Sequence, residues 1–143
     1  MARGREAVQG LAALKRQFKA LPDVAREALA DAAEETAIQV AAAARRRVPV
    51  RYGFLRDDIA STVSRTTGVA KVGLVKRVHM IPGGGPAKPS RYGHLVEFGT
   101  VQSEAQPFML PSLEEQHGPY LQRAKAAGTT IERDMAAIGQ RFL

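Results

Sequence analysis

A long glycine-free segment constrains the fold most. From Pro22 to Arg47 the chain contains no glycine and no further proline, and alanine dominates it. This composition predicts one long helix with Pro22 in its first turn, where a missing N–H costs nothing. At 1.5 Å per residue such a helix spans on the order of 38 Å. Its alanine face permits close packing against a neighbour in the same subunit or another. The larger residues marking its predicted apolar side are Val24, Leu29, Ile38 and Val40.

Both helices and strands are predicted in the sequence that flanks this segment. Residues 5–20 have apolar side chains at spacings of three and four, which predicts a short amphipathic helix. Residues 59–66 and 69–78 read as a β-hairpin with its turn at Thr67-Gly68. A C-terminal amphipathic helix is predicted from Pro111 onward, packed on the sheet or the long helix and interrupted or kinked at Gly118-Pro119.

The segment from Ile81 to Arg91 is rich in glycine and proline. Its three glycines and three prolines predict no regular element. We therefore expect a flexible loop at residues 82–90. The whole pattern predicts one α+β domain over residues 1–143: two N-terminal helices, a small antiparallel sheet and a C-terminal amphipathic helix.

The stretch from Tyr92 to Pro111 concentrates aromatic, glycine and proline residues. Its first part fits either a short helix or a strand by periodicity. The helix is preferred because Gly99 stands where a helix end favours glycine. In the second part, Pro107 forces Gln106 into an extended shape, and Pro111 suits the first turn of a new helix.

The composition excludes several classes of chemistry. The chain has no cysteine, which removes disulfides, thiolate zinc sites and a cysteine nucleophile. Its three histidines lie apart in the sequence, so neither a metal site nor a cofactor is expected. There is no G-x-S-x-G motif, and Pro86 and Pro89 remove N–H groups that a phosphate loop would need. We expect no enzymatic activity, no signal peptide and no membrane-spanning helix.

Two blocks of sequence resemble one protein family. The first is V-P-V-R-Y-G-F-L-R-D-D-I (Val48–Ile59), and the second is Y-G-H-L-V-E-F-G-T followed, after a polar spacer, by Q-P-F-M-L-P. Together they resemble the tail-component or neck proteins of long-tailed double-stranded DNA bacteriophages and prophages. The chain departs from that pattern at Tyr52, where the family usually has threonine, and at Asp58, where it usually has serine.

The resemblance implies a structural role in the virion, after assembly in the bacterial host cytoplasm. Such proteins form a ring, expected here to be a hexamer, between the head-side connector or stopper and the tail tube or tail terminator. Double-stranded DNA passes through the ring. A cyclic ring needs a heterologous contact, in which one surface meets a different surface of the next copy.

The resemblance also selects candidate residues for assembly. Gly53, Gly99, Pro107 and Pro111 are expected to set backbone shape, Leu55, Phe98 and Phe108 to be buried, and Arg56 and Glu97 to form a paired contact. The full set of motif or interface candidates is Pro49, Gly53, Leu55, Arg56, Tyr92, Glu97, Phe98, Gly99, Thr100, Pro107, Phe108 and Pro111. Ordinary monomer core and turn roles remain an open alternative for all of them.

The net charge of +7 favours a second interpretation, a basic nucleic-acid-binding protein. Candidate contacts to DNA or to an acidic partner are Arg45, Arg46, Arg47, Arg51, Lys88 and Arg91. Cations are also favoured at a helix C-terminus by the helix dipole, which explains part of the run Arg45–Arg47 without any partner.

Overall fold

The computed structural model describes residues 11–20 and 22–141. The helices are α1 (Leu11–Ala20), α2 (Asp23–Arg47), α3 (Phe54–Asp57), α4 (Pro89–Phe98) and α5 (Met109–Arg141). The strands are β1 (Ile59–Ser64), β2 (Val69–Leu74), β3 (His79–Met80) and β4 (Pro86–Ala87). This order confirms the predicted α+β class. Residues 5–10, the start of the first predicted helix, lie outside the described residues.

Helix α2 is the element on which most of the fold packs. Both α5 and the β1–β2 hairpin lie against it. Its buried side consists of Ala25, Ala30, Ala32, Ala37, Val40, Ala41, Ala43 and Ala44. The small alanine side chains let the neighbouring backbones approach, which confirms the predicted close packing. Val24 and Ile38 are half exposed instead, so the prediction that these larger residues mark the packed side was wrong.

The β1–β2 hairpin confirms the predicted pairing, the turn at Thr67-Gly68 and the start of β1 at Ile59, although β1 ends at Ser64 and not at residue 66. The two strands are antiparallel, with Ile59 opposite Leu74 and Ser64 opposite Val69. Gly68 takes a positive φ of 65° in the turn, which glycine adopts without steric cost. The second strand is shorter than predicted and ends at Leu74, because the N–H of Arg77 bonds back to the carbonyl of Val75 at 3.0 Å and turns the chain.

The segment from Ile81 to Arg91 contains regular structure, contrary to the sequence-based expectation. Strands β3 and β4 form a small antiparallel ladder, with His79 opposite Ala87. Pro89 then begins α4, a position where proline is favoured because the first N–H of a helix has no partner to lose. Here the prolines flank and start elements and do not prevent them. Flexibility of residues 82–90 stays a prediction.

Helix α4 confirms the helical interpretation of the central stretch, and the strand alternative was wrong. The helix ends at Phe98, and the N–H of Gly99 donates to the carbonyl of Leu95 at 2.8 Å. Gly99 has φ 76° and ψ 178°, a region that is essentially restricted to glycine. The predicted stop at Gly99 is therefore confirmed.

Helix α5 runs through Pro119 without interruption, so the predicted interruption at Gly118-Pro119 was wrong, and the predicted kink stays a prediction. An interior proline costs a helix about 3 kcal/mol. Contacts to α2 on both sides of the proline offset this cost. Before it, Glu115 pairs with Arg47 at 2.6 Å; after it, Arg123 donates to Thr36 at 3.1 Å. Pro111 lies in the first turn of α5, as predicted.

The buried apolar core joins α2, the hairpin and the start of α5. Its members are Ala41, Ala44, Val48, Leu55, Ile59 and Phe108. Phe108 is only 2% exposed, which places its ring inside the single subunit. The core members Val48, Leu55, Ile59 and Phe108 belong to the two sequence blocks that resemble the phage family.

Candidate functional site

Glu97 joins the two halves of the central stretch. It stands near the end of α4 and is buried. One carboxylate oxygen accepts the backbone N–H groups of Phe108 and Met109, each at 2.9 Å, and the other accepts that of Leu110 at 2.9 Å. These donors open α5 and would otherwise lack partners, since the first turn of a helix leaves its N–H groups free. Glu97 is therefore the N-terminal cap of α5.

The surroundings of Glu97 favour its charged form. Burial by itself raises the pKa of this carboxyl, but the hydrogen bonds from Met109, Leu110 and Phe108 lower it and prevail. The net pKa lies below the ordinary value of 4.5. The carboxylate also stands at the positive end of the α5 dipole, which favours negative charge.

Residues 99–107 form a loop with internal hydrogen bonds. The side-chain oxygen of Thr100 accepts the N–H groups of Gln102 at 3.2 Å and Ser103 at 3.1 Å. The N–H of Gln106 donates to the carbonyl of Val96 at 2.8 Å. Pro107, which has no N–H to satisfy, follows at an exposed position. The polar spacer is thus a folded loop that holds α4 against the start of α5.

Two expected contacts of the central motif are not made within the described subunit, and in an assembly they stay predictions. The guanidinium of Arg56 donates to Asp57 at 3.0 Å, while Glu97 accepts hydrogen bonds from backbone donors. Phe98 is 76% exposed, because the side of α4 that packs on the core carries Gly93 and Glu97. Leu55 and Phe108 are buried, as expected.

The first sequence block builds the wall of a surface cavity. Gly53 has φ 82° and precedes the short helix α3, so it sets backbone shape as expected. Pro49 and Tyr92 both line the cavity, which has a volume of about 380 Å³. Pro49 is exposed and Tyr92 is partly buried. The two blocks therefore meet in space around this cavity.

A buried polar cluster was missed by the sequence reasoning. Asp58 is fully buried, and its carboxylate accepts a hydrogen bond from Nε2 of His79 at 2.8 Å. The His79 ring stacks on the Phe54 ring with their centroids 4.5 Å apart. The Phe54 ring in turn stacks on the Tyr52 ring with their centroids 5.7 Å apart. Burial, and then the charge of Asp58, raise the pKa of Tyr92. The signal was present in the sequence, because Tyr52 and Asp58 are the two departures from the family pattern and both belong to this cluster.

The candidate basic residues divide into two groups. The first is engaged within the subunit: Arg45 donates to the carbonyl of Ile59, and Arg46 and Arg47 lie 3.9 and 2.6 Å from Glu115. The second group is Arg51, Lys88 and Arg91, which form no ion pair among residues 11–20 and 22–141. Arg51 lies over the ring of Tyr52, 5.3 Å from its centroid. Arg45 and Arg47 thus have close partners within the subunit, the Ile59 carbonyl and Glu115.

Neither a metal cluster nor a spanning helix is found in the described part of the chain. No group of three or more histidine, cysteine, aspartate or glutamate side chains there could hold a metal ion. No helix among those residues is long and apolar enough to cross a membrane.

Comparison with known proteins identifies the family. The family model described as "Bacteriophage HK97-gp10, putative tail-component" matches residues 12–99, which is more than half of the chain. The chain belongs to this HK97-gp10-like family. No curated protein and no solved structure matches the chain significantly. The recognised resemblance to phage tail components is thereby confirmed, and membership implies a location in the virion.

The residues matched by the family model cover only part of the site. They include the cavity wall, the Asp58–His79 cluster and all of α4, and they end at Gly99. The loop 99–107 and the start of α5 lie beyond them. The second half of the central motif therefore lies outside the matched residues. It is joined to them by its hydrogen bonds to the Glu97 carboxylate and to the carbonyl of Val96.

Proposed function

We propose that this chain is a head–tail joining protein, acting as a neck or tail-completion component of a tailed phage or a prophage-derived particle. Copies of it form a ring, six-fold to match tail symmetry, between the head-side connector or stopper and the tail tube or tail terminator. DNA passes through the ring. The observation that carries this proposal is the match of residues 12–99 to a family of phage tail components.

The role is structural and not enzymatic. The most buried titratable groups that the structure describes are used in holding the fold together. Glu97 caps α5, and Asp58 bonds His79. This use of charged groups fits a subunit that must keep a fixed shape within an assembly. Other virion proteins are then its partners, and it meets them in the host cytoplasm before becoming part of the particle.

The proposal is tested by measuring assembly. We expect the purified protein, alone or with its head-side connector, to form closed rings that are visible by negative-stain electron microscopy and by mass photometry. A phage that lacks the gene should accumulate separate full heads and tails. A chain that stays monomeric across a wide concentration range, and binds neither the connector nor the tail tube, would contradict the proposal.

The alternative is a basic nucleic-acid-binding protein. Arg51, Lys88 and Arg91 support it, because no acidic side chain of the described residues pairs with them. Binding to duplex DNA should then weaken steeply with salt, since each phosphate contact releases a counterion. A steep salt slope without ring formation would favour this alternative, and salt-insensitive ring assembly favours the joining role.

A further inference from the structure

Three apolar residues at the end of α4 lack cover within the subunit. Phe98 is 76% exposed, Leu95 is 43% exposed, and Val101 in the following loop is fully exposed. Leu95 and Phe98 are three residues apart on a helix and so lie side by side. Single exposed apolar residues are normal on a protein surface, but grouped ones mark interaction sites. We call these three residues the apolar knob.

The cavity of about 380 Å³ is an apolar recess on another surface of the subunit. Its lining includes Pro49, Val50, Tyr52, Phe54, Tyr92 and Val96. Val50 and Tyr52 are themselves about half exposed, which places them at the mouth. A cavity of this volume has room for one aromatic side chain, and its stacked rings offer the aromatic contacts that such a side chain favours.

The knob and the cavity face in different directions. Successive helical residues are rotated by about 100°, so Phe98 points about 160° away from Val96, which lines the cavity. Phe98 therefore cannot fill the cavity of its own subunit. Two different surfaces on opposite sides of one helix are what a head-to-tail contact requires, whereas a two-fold dimer would use one surface twice.

Charge also matches across the two surfaces. Arg51 lines the cavity and Glu104 lies exposed in the loop that carries Val101. Neither has an ion-pair partner within residues 11–20 and 22–141. When the knob of one copy approaches the cavity of another, Glu104 in the knob's loop and Arg51 in the cavity lining carry opposite charges.

We infer that the occupant of the cavity is the knob of a second copy of this chain: Phe98 of one subunit inserts among Val50, Tyr52 and Phe54 of the next. Repeated around the assembly, this contact is the heterologous interface of the ring. The inference rests on the proposed joining function and adds to it the residues that form the subunit contact.

The first test replaces Phe98 with alanine. Because Phe98 is mostly exposed, the melting temperature of the monomer should stay unchanged. The concentration for half-assembly should rise by about 30-fold or more, as expected for an interface anchor. The matched control is Val24→Ala, which alters a half-exposed apolar residue at the opposite end of α2 from the cavity. This control should assemble normally.

The second test traps the contact directly. The natural chain contains no cysteine, so Val101→Cys and Val50→Cys each introduce a single thiol, at the knob and at the cavity, while Phe98 is kept. A mixture of these two variants, treated with a short bismaleimide, should give a crosslinked dimer containing one copy of each. A mixture of Val101→Cys with Val24→Cys should not. In addition, Arg51→Glu and Glu104→Arg should each weaken assembly, and mixing the two single variants should restore a contact between them.

The outcomes separate the inference from the function on which it rests. If the unmodified chain forms rings and Phe98→Ala forms them at the same concentration, the knob contact is wrong while the joining role stands. If the unmodified chain is monomeric but the mixed thiol variants crosslink selectively, the contact is supported. If no ring forms with or without the connector, and no selective crosslink appears, both ideas fail.

Discussion

Removal of the Glu97 carboxylate should destabilise the subunit through the start of α5. In Glu97→Ala the N–H groups of Phe108, Met109 and Leu110 lose their acceptor. Phe108 is buried, so its donor remains without a partner at a cost of about 1–3 kcal/mol. Met109 is partly buried and Leu110 exposed, so water replaces the carboxylate there. Each of these two contributes about 0.5 kcal/mol, toward the low end of a lost helix cap.

The sum for Glu97→Ala is about 2–4 kcal/mol, measured as the free energy of unfolding in urea at pH 7. For a chain of this length each kcal/mol shifts the melting temperature by about 2–4 °C or slightly more. The control is Glu104→Ala, which removes a carboxylate from an exposed position with no ion pair among the described residues. We expect that variant to unfold like the unmodified protein.

The lowered pKa of Glu97 determines how the free energy of unfolding should change with pH. The folded-state pKa of Glu97 lies below the ordinary 4.5 of the unfolded chain. The unfolded state therefore binds the proton first on acidification. Stability from the carboxylate is fully present above the unfolded pKa and is lost as pH falls through the lowered folded pKa. The unmodified protein should therefore lose more stability than Glu97→Gln between about pH 6 and about pH 3, on either side of the ordinary pKa of 4.5. Equal losses would refute the capping argument.

Three further predictions concern the apolar core, the Asp58–His79 cluster and the segment of residues 82–90. Phe108→Ala should cost about 3–5 kcal/mol in urea unfolding of the monomer; an unchanged monomer with failed assembly would contradict its placement in the core. His79→Ala should cost about 3 kcal/mol or more, because the carboxylate of Asp58 is left buried without its partner, and adding Asp58→Ser should recover much of that loss. For residues 82–90, hydrogen exchange should slow on assembly, since ordering the backbone costs about 1–2 kcal/mol per residue unless a partner compensates. Unchanged exchange, or normal particle yield after Gly83–Pro89 is replaced by a tight turn, would remove its joining role.

The sequence was most informative where local chemistry decides the structure. The glycine-free segment predicted α2, Thr67-Gly68 predicted the hairpin turn, and Gly99 predicted the end of α4. In each case the deciding residue acts through its own backbone preference. The α+β class followed from these elements. The same reasoning failed at Pro119, because the contacts that keep α5 helical come from residues of α2 that are distant in sequence.

The candidate site was predictable as a region but not in its pairings. The motif residues Glu97 and Phe108 lie together in the structure, and the partner of Glu97 within the subunit is the backbone at the start of α5 rather than Arg56. A backbone partner leaves no charge pattern in the sequence. Phe98 was selected from the family resemblance, which does not tell whether its ring is covered within the subunit or by another copy. Only the rotation of α4 about its axis, fixed by the packing of Gly93 against Leu74 and Leu55, decides that it faces outward.

The last prediction concerns Gly99, which joins the end of α4 to the loop that carries Val101. A Cβ added there would lie 2.7 Å from the backbone nitrogen of Ala105 and 3.0 Å from the carbonyl oxygen of Ser103. Gly99→Ala must also leave φ 76°, ψ 178° or bear strain of about 1–3 kcal/mol.

Because backbone atoms cannot move aside as side chains can, the loop 99–107 should be displaced in Gly99→Ala, and Val101 with it. We expect both a lower melting temperature and weaker assembly at temperatures where the variant is still folded. Gly128→Ala is the matched control: apart from its chain neighbours and the backbone of its own helix, no atom lies within 4 Å of its added Cβ, and alanine in a helix interior should stabilise the chain by about 0.5–1 kcal/mol. If Gly99→Ala melts and assembles like the unmodified protein, the loop does not fix the position of the knob, and the contact must be held by α4 alone.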